Sequence, residues 1–143
     1  VFTTRAELIL NPQRPNLKRT RYHQSSFLIG RVHWYLGEYY RHLFYKETGI
    51  KLLAPAYDLH LTILDGRKPL NKTSPVVNTV LSKYKNFQIE YTNDLQIINE
   101  FVYLPVKPTV CKQIRSELGF YNYPDNFHIT IGRHTMVKGL ILP

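Results

Sequence analysis

Two five-residue stretches, Leu59-His60-Leu61-Thr62-Ile63 and Phe127-His128-Ile129-Thr130-Ile131, repeat one pattern: apolar, His, apolar, Thr, apolar. Counting that template against this chain's supply of residues gives roughly 0.02 matches by chance, so the recurrence calls for a physical reason. Side chains alternate between the faces of a strand, so each stretch sets one imidazole beside one hydroxyl on one face, while the apolar residues anchor the other. Imidazoles exchange protons near neutral pH. Two of them on opposite sides of one phosphorus can take a proton from a nucleophile and give one to a leaving oxygen. Threonine adds a neutral donor of restricted rotamer for the non-bridging oxygens. These groups suit phosphodiester cleavage without a metal, and make His60, Thr62, His128 and Thr130 the candidate catalytic residues.

The two motifs, His60-Leu61-Thr62-Ile63 and His128-Ile129-Thr130-Ile131, resemble the paired signature of the 2H phosphoesterase superfamily at all four key positions, within roughly residues 50–135. The resemblance implies an α+β fold of two antiparallel-sheet lobes, with helices packed outside and a central cleft to which each lobe brings one His and one Thr. It implies a metal-independent phosphodiesterase that needs no cofactor. Its substrate would be a nucleotide or RNA-type phosphodiester: a 2′,3′-cyclic phosphate, a 2′,5′-oligoadenylate or a cyclic oligonucleotide immune signal of the kind that phage members destroy. Two other readings use the same residues. One is a non-catalytic RNA- or nucleotide-binding module that holds phosphate in the His/Thr cleft. The other is a metal site joining His60 and His128 to Asp58, although imidazoles paired with Thr are unlike the usual zinc or iron donor sets.

Around the tetrad, Asp58 and Asn126 each stand two residues before a motif histidine, where strand parity lets either orient an imidazole. In Gly119–Asn126, Tyr121 and Tyr123 are candidates to stack on a nucleobase. Arg133, just past the second motif, is a candidate phosphate donor. His23, His33, His42 and His134 read as surface or packing residues.

The elements that must position these groups are legible in part. Strands are expected at Ala6–Leu10, Ser26–Val32, Leu59–Leu64 and Phe127–Gly132, with a further one at Lys138–Leu142. Phe87–Thr92, Leu95–Ile98 and Phe101–Val106 read as a meander. A helix is expected over His33–Lys46, with Leu36, Tyr39, Tyr40, Leu43 and Phe44 on its inner face and Gly49 as its stop. Others begin near Ser74-Pro75 and run over Lys107–Leu118. In Leu59–Leu64 strict alternation puts His60, Thr62 and Leu64 on one face. The stretch after Leu10 carries Arg14, Lys18, Arg19 and Arg21 and reads as an exposed basic loop.

The 143 residues suit one domain over 1–143. A net charge of +9 favours an anionic partner without choosing among nucleotide, nucleic acid and acidic lipid. The lone Cys111 excludes an internal disulfide and points to a reducing, intracellular (cytoplasmic) setting. No apolar run approaches the roughly 20 residues of a bilayer span, and no signal-peptide order is present, so a soluble domain without a membrane role is expected. The first residue is Val1, which points to processing, an artificial boundary or excision from a longer polypeptide.

Overall fold

In the computed structural model, which describes residues 1–12, 27–57, 59–66, 68–71, 73–121, 126–140 and 142, the two motif strands are neighbours at the middle of one sheet. In chain order the elements are β1 (Phe2–Leu10), β2 (Phe27–Val32), α1 (Trp34–Thr48), β3 (His60–Asp65), α2 (Pro75–Lys83), β4 (Asn86–Tyr91), β5 (Gln96–Ile98), β6 (Phe101–Pro105), α3 (Thr109–Glu117) and β7 (His128–Arg133). Among the described residues the sheet has seven strands in the order β4-β1-β2-β3-β7-β6-β5, and every pairing is antiparallel.

The unit β-β-α-β therefore occurs twice, as β1-β2-α1-β3 and β5-β6-α3-β7, and the strand order of the second copy mirrors that of the first about the β3–β7 seam. The helices cross that seam: α1 packs on β7 and α3 on β3. Among the described residues the strands of both repeats form one continuous sheet.

Local chemistry explains most boundaries. His33 caps α1 by accepting the Tyr35 amide at 3.2 Å, and Gly49 ends the helix at φ 76°, where a side chain would be strained. Ser74 and Pro75 open α2. Of the expected inner face of α1, Tyr40 and Phe44 are buried, whereas Tyr39 is 52 % exposed.

Three expectations need correction. β4 pairs with β1 on the far side of the sheet from the β5–β6 hairpin, so there is no meander. An isolated Tyr91–Val106 bridge nevertheless ties the end of β4 to the residue after β6. Among the described residues of Lys138–Leu142 none lies in a strand: Thr135–Val137 is a 3-10 turn, and Gly139 sits at φ 80° in the turn that follows. Finally, Leu64 leaves the histidine face for the core, for a reason that belongs to the site.

The core lies behind the seam, where Leu61 and Ile129 stand paired with Gly30 and Leu104 across the neighbouring strands, all within the buried set. Gly30 is required there, since a Cβ would meet the Phe87 ring at 2.8 Å.

Candidate functional site

Leu61 of β3 is paired with Ile129 of β7, and both side chains are buried. Directly opposed residues share a face and alternate residues reverse it. His60 and Thr62 therefore stand on the opposite face together with His128 and Thr130. Carrying the antiparallel register one residue each way sets His60 beside Thr130 and Thr62 beside His128, with the two imidazoles on the diagonal. Such diagonal neighbours lie about 7–8 Å apart, a span that leaves room between them for one tetrahedral group. All four side chains are half-buried.

The β3–β7 ladder is confined to that single pair. Further along β7, Arg133 exchanges both backbone hydrogen bonds with Leu53 instead, at 2.9 and 3.0 Å.

Both motif strands carry the same irregularity at the same place. On the β2 side, Leu28 pairs with Leu64, but its neighbour Ile29 pairs with Thr62, so Ile63 is the extra residue of a bulge. On the β6 side, Val102 pairs with Gly132 and Tyr103 with Thr130, so Ile131 is extra. A bulge inserts one residue and breaks the alternation, which is why Ile63 and Leu64 are both buried, as are Ile131 and Gly132.

The carbonyl of each extra residue is met by an arginine from the other repeat. Arg41 of α1 donates to the Ile131 oxygen at 2.8 Å, and Arg115 of α3 donates to the Ile63 oxygen at 2.6 Å. A buried carbonyl outside the ladder needs such a donor. Arg115 also lies over the Phe127 ring at 4.3 Å. Burial lowers the pKa of the Arg41 guanidinium, with Glu38 acting in the opposite sense. Gly132 fits this crossing because a Cβ would come within 2.7 Å of the Leu52 Cβ and 2.8 Å of the Leu53 oxygen.

The two imidazoles have different surroundings. His128 Nδ1 is 3.0 Å from the Asn126 carbonyl, which can only accept, so Nδ1 carries the hydrogen and Nε2 is left for proton exchange. Thus Asn126 orients the ring, as parity allowed, through its main chain. The Tyr103 ring lies 5.1 Å from that of His128. His60 has the rings of Phe27 and Tyr57 edge-on at 6.3 and 5.8 Å. Its cross-strand neighbour is Arg31, which pairs with Glu7 at 2.6 Å.

Comparison with protein-family models, with curated proteins and with solved structures found no match.

Of the other expected residues, Tyr121 and Arg133 are among those described. Tyr121 is 74 % exposed and borders a hollow of about 540 Å³ along α3, with Lys112, Arg115 and Phe120. Arg133 is engaged by Glu100 at 3.4 Å. Tyr123, Asp58 and the basic residues Arg14, Lys18, Arg19 and Arg21 lie outside the described residues. Among the described residues, no group of three or more His, Cys, Asp or Glu side chains could hold a metal ion, and no helix is long and apolar enough to cross a membrane.

Tyr103, Tyr57 and Phe27 were missed from sequence, and so were both bridging arginines. Strand parity in Phe101–Pro105 does single out Tyr103 as facing away from Val102 and Leu104, but its neighbour across the sheet depends on a non-local pairing.

Proposed function

We propose that this chain is a metal-independent phosphodiesterase of the 2H phosphoesterase type, acting on an RNA-type or cyclic (oligo)nucleotide phosphodiester. The observation that carries the reading is the register Leu61–Ile129, from which two imidazoles and two hydroxyls follow on one face around a common centre. The doubled β-β-α-β order supports the bilobal description, with the seam as the cleft floor.

One imidazole accepts the proton of the nucleophile, and the other protonates the departing oxygen. Thr62 and Thr130 donate to the non-bridging oxygens, where charge builds in the transition state. His128 exchanges its proton through Nε2, because Nδ1 is committed to Asn126. The rate should follow a bell-shaped dependence on pH, since one ring must be neutral while the other is charged, and both limbs belong to the pair. An intracellular setting and a 2′,5′-oligoadenylate or cyclic immune signal as substrate are part of the same proposal.

The test is product analysis on a 2′,3′-cyclic nucleotide, a 2′,5′-oligoadenylate, cyclic oligonucleotides and short RNA, with and without excess chelator. Cleavage of at least one, undiminished by chelator, is expected. On a 3′,5′-linked RNA substrate, replacing the ribose 2′-hydroxyl by hydrogen then separates attack by that hydroxyl, which must stop, from attack by water, which continues. Tight binding without turnover of any member would replace the enzyme by a phosphate-binding module.

A further inference from the structure

The row of side chains that contains His60 continues across the sheet into a second hollow. Arg31 stands opposite His60 on β2, and Glu7 stands opposite Arg31 on β1. Strands are spaced about 4.8 Å apart, so this row leaves the tetrad in steps of that size. It opens into a concavity of about 480 Å³ bordered by Arg5, Glu7, Arg31, His33, Trp34 and Asn86.

Trp34 is the only tryptophan of the chain and is 54 % exposed. Its ring is stacked on that of His33, with centroids 5.5 Å apart and planes at 26°, and Tyr35 meets it edge-on at 5.7 Å. The His33 ring is itself held by the Tyr35 amide. The indole is thus braced by His33 and Tyr35, and the residue as a whole stays exposed. An aromatic face of this kind gains most from another flat ring.

The polar groups around it are of mixed type. Arg5 and Arg31 are cationic, Glu7 is anionic and bonded to Arg31, and Asn86 offers an amide that both donates and accepts. A carboxylate in the hollow disfavours a bare phosphate or a polyanionic surface. A nucleoside brings a flat base with amino groups and hydroxyls for Glu7 and Asn86, and its phosphate brings negative charge for an arginine.

Resting on the phosphodiesterase reading, we infer that this hollow binds the nucleoside on the 5′-oxygen side of the scissile phosphate of an oligonucleotide substrate, with its base stacked on Trp34. The chain would then favour substrates of two or more nucleotides over a 2′,3′-cyclic mononucleotide, which carries no nucleoside on that side of its phosphate.

The lone tryptophan supplies its own reporter. In the double variant His60→Ala/His128→Ala, titration with a short RNA oligonucleotide should quench Trp34 fluorescence saturably, and a 2′,3′-cyclic mononucleotide should not. Trp34→Ala should weaken binding of a labelled oligonucleotide by roughly five- to a hundredfold, and Trp34→Phe should recover part of that loss. With the motif histidines intact, Trp34→Ala should lower kcat/KM for the oligonucleotide more than for the mononucleotide. Equal quenching by both ligands, or oligonucleotide affinity unchanged by Trp34→Ala, would overturn the inference and leave the phosphodiesterase reading standing. Saturable, Trp34-dependent binding in a protein that turns over no substrate would uphold the site and remove the enzyme.

Discussion

At the scale of residues, the two histidines stand among different neighbours. In His128 a main-chain carbonyl fixes the tautomer, so substitutions of the Asn126 side chain should leave the ring's orientation intact. His60 is instead bounded by aromatic edges from Phe27 and Tyr57. Either His60→Ala or His128→Ala is expected to lower phosphodiester turnover by about 10²-fold or more. The double variant should be little worse, because groups acting in one step do not add. Thr62→Ala and Thr130→Ala should cost less, and the Ser variants less again, since Ser keeps the hydroxyl. Steady-state kinetics on the substrate found by product analysis decide this, and substantial turnover in the double His variant would end the assignment. The tetrad was legible because period-2 alternation is a local property of a strand. Arg31 and Tyr103 were not, because a residue's cross-strand neighbour is chosen by a pairing between distant segments.

At the scale of elements, the paired bulges and their arginines are the central device. Removing Arg41 withdraws the donor from the Ile131 carbonyl, and an unsatisfied buried acceptor costs about 1–3 kcal/mol. Arg41→Ala and Arg115→Ala should therefore each lower the melting temperature by several degrees in calorimetry, and each should disturb the motif of the repeat opposite. Lys can donate one bond but cannot reproduce a planar fork. Arg41→Lys should thus recover more than Arg115→Lys, whose guanidinium also covers Phe127. Full stability in either Ala variant would show that the bulge carbonyl finds another donor. Helix limits, the Gly49 stop and most strands followed from caps and alternation. The bulges did not, because Ile63 and Ile131 differ from their neighbours only in lacking a partner, and strict alternation therefore misplaced Leu64. Lys138–Leu142 was expected as a strand, whereas Gly139 turns the chain at positive φ.

At the scale of the whole molecule, the connection between repeats is fastened where α2 and α3 end. Glu117 accepts from Lys83 at 2.8 Å and from the Tyr84 hydroxyl, and these two partners hold its carboxyl below the usual glutamate range. The same carboxylate raises the pKa of Lys83 above 10.5. A depressed carboxylate pKa contributes stability above its unfolded value that is lost as pH falls through the folded one, and a raised amine pKa contributes stability that is lost toward high pH. Thermal melts of the natural protein and of Glu117→Gln should therefore differ most between about pH 5 and 10 and converge on acidification below about 4.5; a gap that is constant down to pH 2 would contradict the linkage. The expected antiparallel α+β architecture is present, but β3 and β7 are joined through the pair Leu61–Ile129, whose partners lie far apart in the sequence.

That seam also dictates an order of events. A chain that has formed β1, β2, α1 and β3 still carries β3 as an open edge, and its proper partner lies nearly half the sequence away. Pairings of such long sequence separation form slowly, and an unpaired edge is a template for any strand of similar pattern. Because β3 and β7 are written alike, the nearest imitation of β7 is the β3 of another nascent copy. The repeated pattern that supplies two matched histidines thus makes self-association through the β3 edge the folding error to expect before β7 pairs and Arg41 closes on it.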